Sequence, residues 1–372
     1  MKTQTNLNMR LSSHLVDEGF LLHSKTAQIE RRLKKLMGPK RYEMYLDSCD
    51  AANSGESSTA EMYRSVQTKE EAHLLFSHEA ETIVAVDEWL TTKVAELARP
   101  PSNIADLGCC TGAFCSWLKS ELPKTNVVGF EREKNLLDIA IDNYRGTTFH
   151  LWDYSSDQKS PMGNFEILVT GLGIDFVRSS PNAPLGSASR RDLPEYKACL
   201  QQVTPVLENW RSISRDDAKL FGVLRIPSAP CFLAVVDAAA HVGWAIQLDE
   251  CSWINTSEKE RFPCLAFNAA SAQTISLDED VMVGHWFAEG IRLLGATKLK
   301  DDVARELYKH IGPKTILNTK EMSYDDGHVR RWHLVSCGSF SIEYSEATTG
   351  FAELTFLPLQ GAKSAANWNL PE

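Results

Sequence analysis

The chain has no surplus of positive charge: 39 Lys and Arg stand against 49 Asp and Glu, a formal net charge of −10 over 372 residues. Whole-surface attraction to nucleic acid or to an anionic membrane is therefore excluded as an organising principle. A long apolar run is missing too. The most hydrophobic stretch, Cys231 to Val242, is interrupted by Asp237 and falls short of the roughly 20 residues that span a bilayer. Met1 to Leu21 is polar and lacks the apolar centre of a secretory signal, so no membrane association is expected. The nine cysteines form no C-x-x-C pair, which argues against zinc and disulfide frameworks and for reduced thiols in a cytoplasmic setting. Cys109, Cys110 and Cys115 lie close together but follow a tight turn without ligand-like spacing, so no metal site is expected from them. Internal repeats, a full G-x-G-x-x-G and an RNA-recognition motif are also absent.

What remains is an ordinary globular composition, 43% apolar and 24% charged, on a chain long enough for a sizeable core and two or three structural units. Residues 1–80 read as a helical N-terminal extension. Within it, Thr26 to Met37 places Ile29, Leu33 and Leu36 at helical spacing. Seven basic residues and one acidic residue fall between Lys25 and Arg41, a face suited either to solvent or to nucleic acid. Asp50 to Thr59 reads as a loop, and a long helical pattern from Lys69 to Leu97 is stopped by Pro100-Pro101.

Residues 81–272 alternate strand and helix, which predicts a doubly wound, seven-stranded Rossmann-like α/β sheet. Strands are expected at 103–107, 126–130, 147–151, 165–170, 219–225, 245–250 and 262–268. Helices are expected at 113–121, 134–143, 193–211 and 230–242. The connection from 171 to 192 is long enough to be functional. Residues 273–372 change character and read as a small α+β appendage. Ser276 and Glu279 suggest a capped helix ending near Gly295, and a second helix is expected over 299–311. Strand-like runs follow at 314–322, 328–336, 339–345 and 350–357, and the tail beyond Gly361 reads as loosely ordered.

The chemistry concentrates at Asp106-Leu107-Gly108-Cys109-Cys110-Thr111-Gly112, followed by the helix opening at Ala113-Phe114. An apolar strand ends in an acid and turns through two glycines four apart, leaving room for a ligand against bare backbone. S-adenosylmethionine asks for such a turn. It also asks for an acceptor for an amino group, met by Asp106, and an acid at the end of the second strand for ribose hydroxyls. Glu131 lies 19 residues beyond Gly112, with Arg132 beside it. Asp153, flanked by Trp152 and Tyr154, offers an acceptor and an apolar slot for adenine. The glycine turn alone would equally serve a nicotinamide or flavin enzyme, and Asp153 alone would equally be a turn residue.

Over roughly residues 85–270 the chain resembles class I S-adenosylmethionine-dependent methyltransferases. Residues 106–112 resemble that family's first motif, with Cys110 in place of its middle glycine. Glu131 matches the ribose acid, Asp153 the adenine-side acid, and Phe165-Glu166-Ile167-Leu168-Val169 the fourth-strand motif. The resemblance implies S-adenosylmethionine as cofactor, held also by Thr170 and Gly171. It implies an acceptor near Leu172 and a base or amine anchor at Asp175.

Residues 112–118, the fourth strand and 261–267 are similar to the FtsJ-like branch, whose best-known members methylate RNA ribose with a Lys-Asp-Lys-Glu tetrad. Gly171 stands where that aspartate is expected, and Arg225 where a lysine is expected. Arginine stays protonated, so Arg225 cannot act as the base and serves at most to bind substrate. Three expectations follow. The leading one is a methyltransferase of a small-molecule acceptor. The others are a nucleic acid methyltransferase with a divergent base and a non-methylating protein that binds or redirects the sulfonium.

Overall fold

In a computed structural model of the chain, the described residues are 2–54, 60–173, 191, 194–226, 229–255, 261–272, 298–300, 304–305, 308–309, 314–324, 327–336 and 341–357. The chain divides into two units. One comprises Met1–Ser179, Ala198–Pro227 and Ala238–Thr274; the other comprises Ser180–Lys197, Ser228–Asp237 and Ile275–Glu372.

The first unit opens with helices α1 (Lys2–Glu18), α2 (Thr26–Ser54), α3 (Ala60–Arg64), α4 (Lys69–Phe76) and α5 (Ala80–Ala95). Strand and helix then alternate through β1 (Asn103–Leu107), α6 (Ala113–Glu121), β2 (Asn126–Glu131), α7 (Lys134–Asn143), β3 (Thr148–Leu151) and β4 (Phe165–Gly171). Helix α8 (Pro194–Ser212) leads to β5 (Ser214–Val223), and α9 (Ala229–Val242) leads to β6 (Trp244–Ile246), β7 (Ser252–Asn255) and β8 (Arg261–Ala269). The sheet order is β3-β2-β1-β4-β5-β8-β6. Strands β1 to β5 pair in parallel and β8 runs antiparallel to β5. This is the expected Rossmann-like α/β sheet with one strand more, because β7 pairs with β8 beside β6.

Strand β1 lies between β2 and β4, so the chain winds outward to β3 and returns to lay β4 on the other side. Connections that leave in opposite directions open a crevice at the carboxyl ends of β1 and β4, the place where such sheets bind ligands. Ile104, Ala105 and Leu107 are fully buried, as in a parallel strand covered on both faces. Leu11, Leu15 and Phe20 from the α1 region belong to the same core as Ile104, Val169 and Phe221. A second buried cluster joins Ile29, Leu33 and Tyr42 of α2 to Leu136 and Ile139 of α7. The N-terminal helices are thus held by two separate sets of apolar contacts, one to the sheet and one to α7.

Three expectations are corrected here. Helix α2 runs through Asp50 to Ser54, which read as a loop, and it carries its break earlier at Gly38 (φ 75) and Pro39. The small polar residues at its end continue the helix because Tyr42 and Tyr45 bury its inner face. The Lys69–Leu97 pattern is divided into α4 and α5 by a 3-10 turn over Ser77–Glu79. There Ser77 donates to the His73 carbonyl (2.5 Å) and accepts the Leu21 N–H (2.8 Å), fastening the turn to the chain after α1. Residues 299 and 300, expected in a helix, lie in β9 (Lys298–Lys300), where they satisfy the edge of β13.

The second unit contains a five-stranded antiparallel sheet, β10-β11-β12-β13-β9, with β10 (Thr315–Ser323), β11 (Val329–Ser336), β12 (Ser341–Ala347) and β13 (Ala352–Leu357). Trp332, Leu334, Ile342, Tyr344 and Leu354 alternate onto its buried face, and Tyr308 stacks on Tyr344 at 3.9 Å. The helix proposed from Ser276 and Glu279, the tail beyond Gly361 and Asp175 lie outside the described residues. Among the described residues, no helix is long and apolar enough to cross a membrane.

Candidate active site

At the carboxyl end of β1 the chain turns through Gly108 at φ 81, and the N–H groups of Gly108 and Cys109 both donate to the Phe130 carbonyl of β2 (2.9 and 3.0 Å). Cys110 follows at φ 50, left-handed backbone that glycine adopts freely and that costs another residue about 1–2 kcal/mol. The conformation is held by the Cys110 N–H, which donates to Glu131 Oε2 at 2.9 Å. A cysteine at this position therefore costs strain, which that hydrogen bond offsets.

Glu131 ends β2 and is 5% exposed. Its other oxygen accepts the N–H groups of Arg132 (2.8 Å) and Glu133 (2.9 Å), so one carboxylate holds the residues leading into α7 and braces the glycine turn. Burial raises its pKa, while those three N–H groups and Arg132 pull it back down, leaving it above the usual value. Asp106, one residue before the end of β1, is 3% exposed and accepts the Cys115 thiol at 3.1 Å. Burial pushes its carboxyl up to about 7, with the nearby Glu131 charge adding to the effect. Buried thiols are unreactive, and burial likewise pushes Cys109 up to about 11.

These acids border a cleft that is open to solvent and spans about 1140 Å³ with its mouth included. Its floor includes Asp106, Gly108, Cys109, Cys110 and Thr111 from the turn, with Glu131 and Arg132 beside them. Phe114 opens α6 on one flank, and Leu15, Phe20, Tyr63 and Phe76 from the N-terminal helices form aromatic and apolar walls. Gly171 sits so close to α5 that a Cβ would lie 2.9 Å from Val86 Cγ1. Leu172 follows at φ 60, its N–H donated to the Val223 carbonyl (2.7 Å), and it too lines the cleft. Tyr154 reaches the same wall, where its hydroxyl donates to the Gly173 carbonyl at 2.7 Å. Arg225 borders the cleft, ion-paired with Glu79 and 5.3 Å from the Phe262 ring centroid.

Four expected site residues are placed elsewhere. Gly112 (φ 82) makes its close approach to the Phe149 ring, 2.7 Å from where a Cβ would stand, rather than to the cleft. Thr170 is fully buried and donates to the Leu107 carbonyl (2.9 Å), stapling β4 to β1. Trp152 is buried against Phe130 and Tyr154, with its indole N–H on the Gln158 carbonyl (2.9 Å). Asp153 accepts the Ser155 N–H (3.0 Å) and hydroxyl (2.6 Å), the arrangement of a turn residue. The acid and ring expected at the adenine end thus serve local structure, because the chain turns sharply just after β3.

Sequence reasoning missed two residues, one lining the cleft and one buried behind its glycine turn. Asp87 of α5 is 7% exposed and lines the cleft. Its pKa is raised well above the usual carboxylate value by burial and by the Asp106 charge. The signal was a carboxylate on the buried stripe Ala80, Val84, Asp87, Thr91 and Val94, a position where unpaired acids are rarely found. His73 of α4 is fully buried, with Nδ1 facing the Glu18 carbonyl (2.6 Å) and Nε2 facing the Thr111 hydroxyl (2.9 Å). No local pattern marked it, since both partners are distant in the chain.

An acid-floored, aromatic-walled cleft at a topological switch point suits a ligand that combines a flat apolar ring with positive charge. No family model and no curated protein matches the chain. Solved structures do. A TehB-like SAM-dependent methyltransferase from Corynebacterium glutamicum is 14% identical over 52% of this chain and 96% of that one, with a TM-score of 0.36. The O-methyltransferase of a trans-AT PKS multienzyme from Brevibacillus brevis, in complex with S-adenosyl-L-homocysteine, is 9% identical over 60% and 85%, with a TM-score of 0.37. TrmN from Thermus thermophilus is 12% identical over 50% and 48%, with a TM-score of 0.35. The likeness is one of fold, a Rossmann-like α/β sheet.

Proposed function

We propose that the protein is an S-adenosylmethionine-dependent methyltransferase acting on a small-molecule acceptor. One observation carries the reading: Asp106 and Glu131 stand at the carboxyl ends of adjacent strands, on either side of a backbone turn through Gly108, and both line the switch-point cleft. That is where a doubly wound sheet receives a nucleoside cofactor.

The bound cofactor would supply an electrophilic methyl group on a sulfonium. The backbone of Gly108 to Thr111 lets it approach, Glu131 accepts from ribose hydroxyls with the lone pairs its N–H contacts leave, and Asp106 accepts from the amino group. Phe114 and Phe76 give the cleft apolar surface for the adenosine part. In such an in-line transfer the chain mainly aligns the nucleophile and, for a hydroxyl, removes a proton. Leu172 and the walls from the N-terminal helices enclose the acceptor, and Asp175 is the residue we assign to anchor or deprotonate it. Arg225 is committed to Glu79 and stays charged, so it serves at most to orient substrate.

The exposed basic residues Arg31, Arg32, Lys34 and Lys35 of α2 favour nucleic acid as the second reading. Product analysis with methyl-labelled cofactor decides. Release of S-adenosylhomocysteine with label in a low-molecular-weight compound supports the first reading, and label in RNA or DNA the second. Methylthioadenosine would mean attack on the other carbon chain. Absence of any cofactor uptake by calorimetry would remove the assignment.

A further inference from the structure

Asp87 and Asp106 face the same cleft from different elements, α5 and β1, and are 7% and 3% exposed. Among the described residues neither is paired with a Lys or Arg. Asp106 accepts the Cys115 thiol, and Asp87 has no hydrogen-bond partner there. The guanidinium groups at the cleft are engaged elsewhere, Arg225 with Glu79 and Arg132 toward Glu133 at 3.8 Å. The remaining titratable groups facing the pair are Glu131 from β2 and the thiols Cys109 and Cys115, none of which supplies positive charge. Two buried acids without a cation are unfavourable, and the fold keeps both at a surface open to ligand.

We propose that Asp87 and Asp106 form a two-sided carboxylate subsite for a primary ammonium group. The ammonium comes either from the amino-acid end of the cofactor or from an amine acceptor; the first source rests on the function proposed above. In the ligand-free protein burial favours the protonated acids. Entry of the ammonium ion releases the proton of each acid to solvent and leaves its N–H groups donating to both carboxylates.

Calorimetric titration of wild type and Asp87→Asn with S-adenosylhomocysteine, which carries the ammonium, and with methylthioadenosine, which lacks it, tests the subsite. n-Butylammonium, followed by NMR on the free and the S-adenosylhomocysteine-saturated protein, separates the two sources. If the cofactor fills the subsite, the substitution weakens S-adenosylhomocysteine about ten-fold or more, as loss of a charge-assisted contact should, and leaves methylthioadenosine unchanged. If the acceptor fills it, S-adenosylhomocysteine is unaffected, and butylammonium binding to the saturated protein disappears. Unchanged binding of both overturns the proposal. Should neither nucleoside bind wild type, the cofactor reading fails by itself, and butylammonium on the free protein alone then decides the subsite. Ligand-free Asp87→Asn should also melt at a higher temperature than wild type near neutral pH, because the unfolded chain no longer gains from ionising a carboxyl that burial keeps protonated in the fold. A lower melting temperature with all three ligands equally weakened would mean that Asp87 only packs, which also overturns it; Asp106→Asn must give the same pattern.

Discussion

His73 accepts the hydroxyl proton of Thr111 at Nε2, 2.9 Å away, so a helix that precedes the sheet holds its glycine turn. The direction of the bond follows from the other ring nitrogen. Nδ1 lies 2.6 Å from the Glu18 carbonyl, which can only accept, so the proton is on Nδ1. Burial lowers the His73 pKa to about 4, and the ring stacks on Phe20 at 4.4 Å.

His73→Phe should cost about 2–4 kcal/mol, since it orphans a buried hydroxyl and a buried carbonyl. The neutral ring also makes stability depend on pH. The unfolded chain takes up a proton below 6.5 and the folded one only near 4, so this residue's contribution grows as pH climbs between those values and is flat above. Denaturant melts at pH 5 and 7.5 should show that increment in wild type and not in the variant; an identical increment in both would remove His73 as its source.

Asp106 works in the opposite sense. Its carboxyl is held near 7 when folded against 3.8 ordinarily, so the native state binds a proton that the unfolded chain has lost. Its contribution therefore declines as pH climbs from about 4 to about 7 and levels off beyond. Asp106→Asn escapes that decline. Its stability advantage over wild type should widen across the window by on the order of 3–4 kcal/mol. Chemical denaturation at pH 5, 6, 7 and 8 measures the gap, and a gap independent of pH would contradict the burial of this carboxyl.

Glu131→Ala should act on folding and on binding together. Three N–H groups, those of Cys110, Arg132 and Glu133, lose their acceptor, for roughly 2–4 kcal/mol of stability. Binding of S-adenosylmethionine should weaken by a further 1.5–3 kcal/mol, about the worth of a hydrogen bond to a charged group. Glu131→Gln, which keeps one carbonyl acceptor, should recover part of the stability. Scanning calorimetry reads the first effect and titration the second; a loss of stability with unchanged affinity would restrict Glu131 to a structural role.

Gly112→Ala should destabilise the fold by about 2–4 kcal/mol. The position has φ 82, and a Cβ would stand 2.7 Å from the Phe149 ring. A paired Phe149→Leu change should restore much of the loss, which thermal melts of the single and double variants would show. Failure of the pair to couple would place the strain in the backbone alone.

Much of the first unit was legible. Helices α6 and α7 occupy the expected residues because their apolar spacing and flanking turns are local properties. Strands β1 to β4 follow the runs of buried apolar residues, and the turn after β1 declared itself by its glycines. The short β7 was missed because its four residues pair only with β8, beside a strand already assigned to that edge.

Composition and spacing alone settled that a strand ends at Leu107, that a glycine turn follows, and that acids lie at the ends of β1 and β2, since each depends on residues adjacent in the chain. Which groups share the cleft was decided by tertiary structure. Packing carried Asp87 to the cleft and His73 to the glycine turn behind it, both from helices before the sheet, while a tight turn after β3 engaged Asp153 with its neighbour Ser155. Burial then shifted the protonation of Asp106 and His73, because a carboxyl or an imidazole responds to the groups that surround it in space, wherever they lie along the chain.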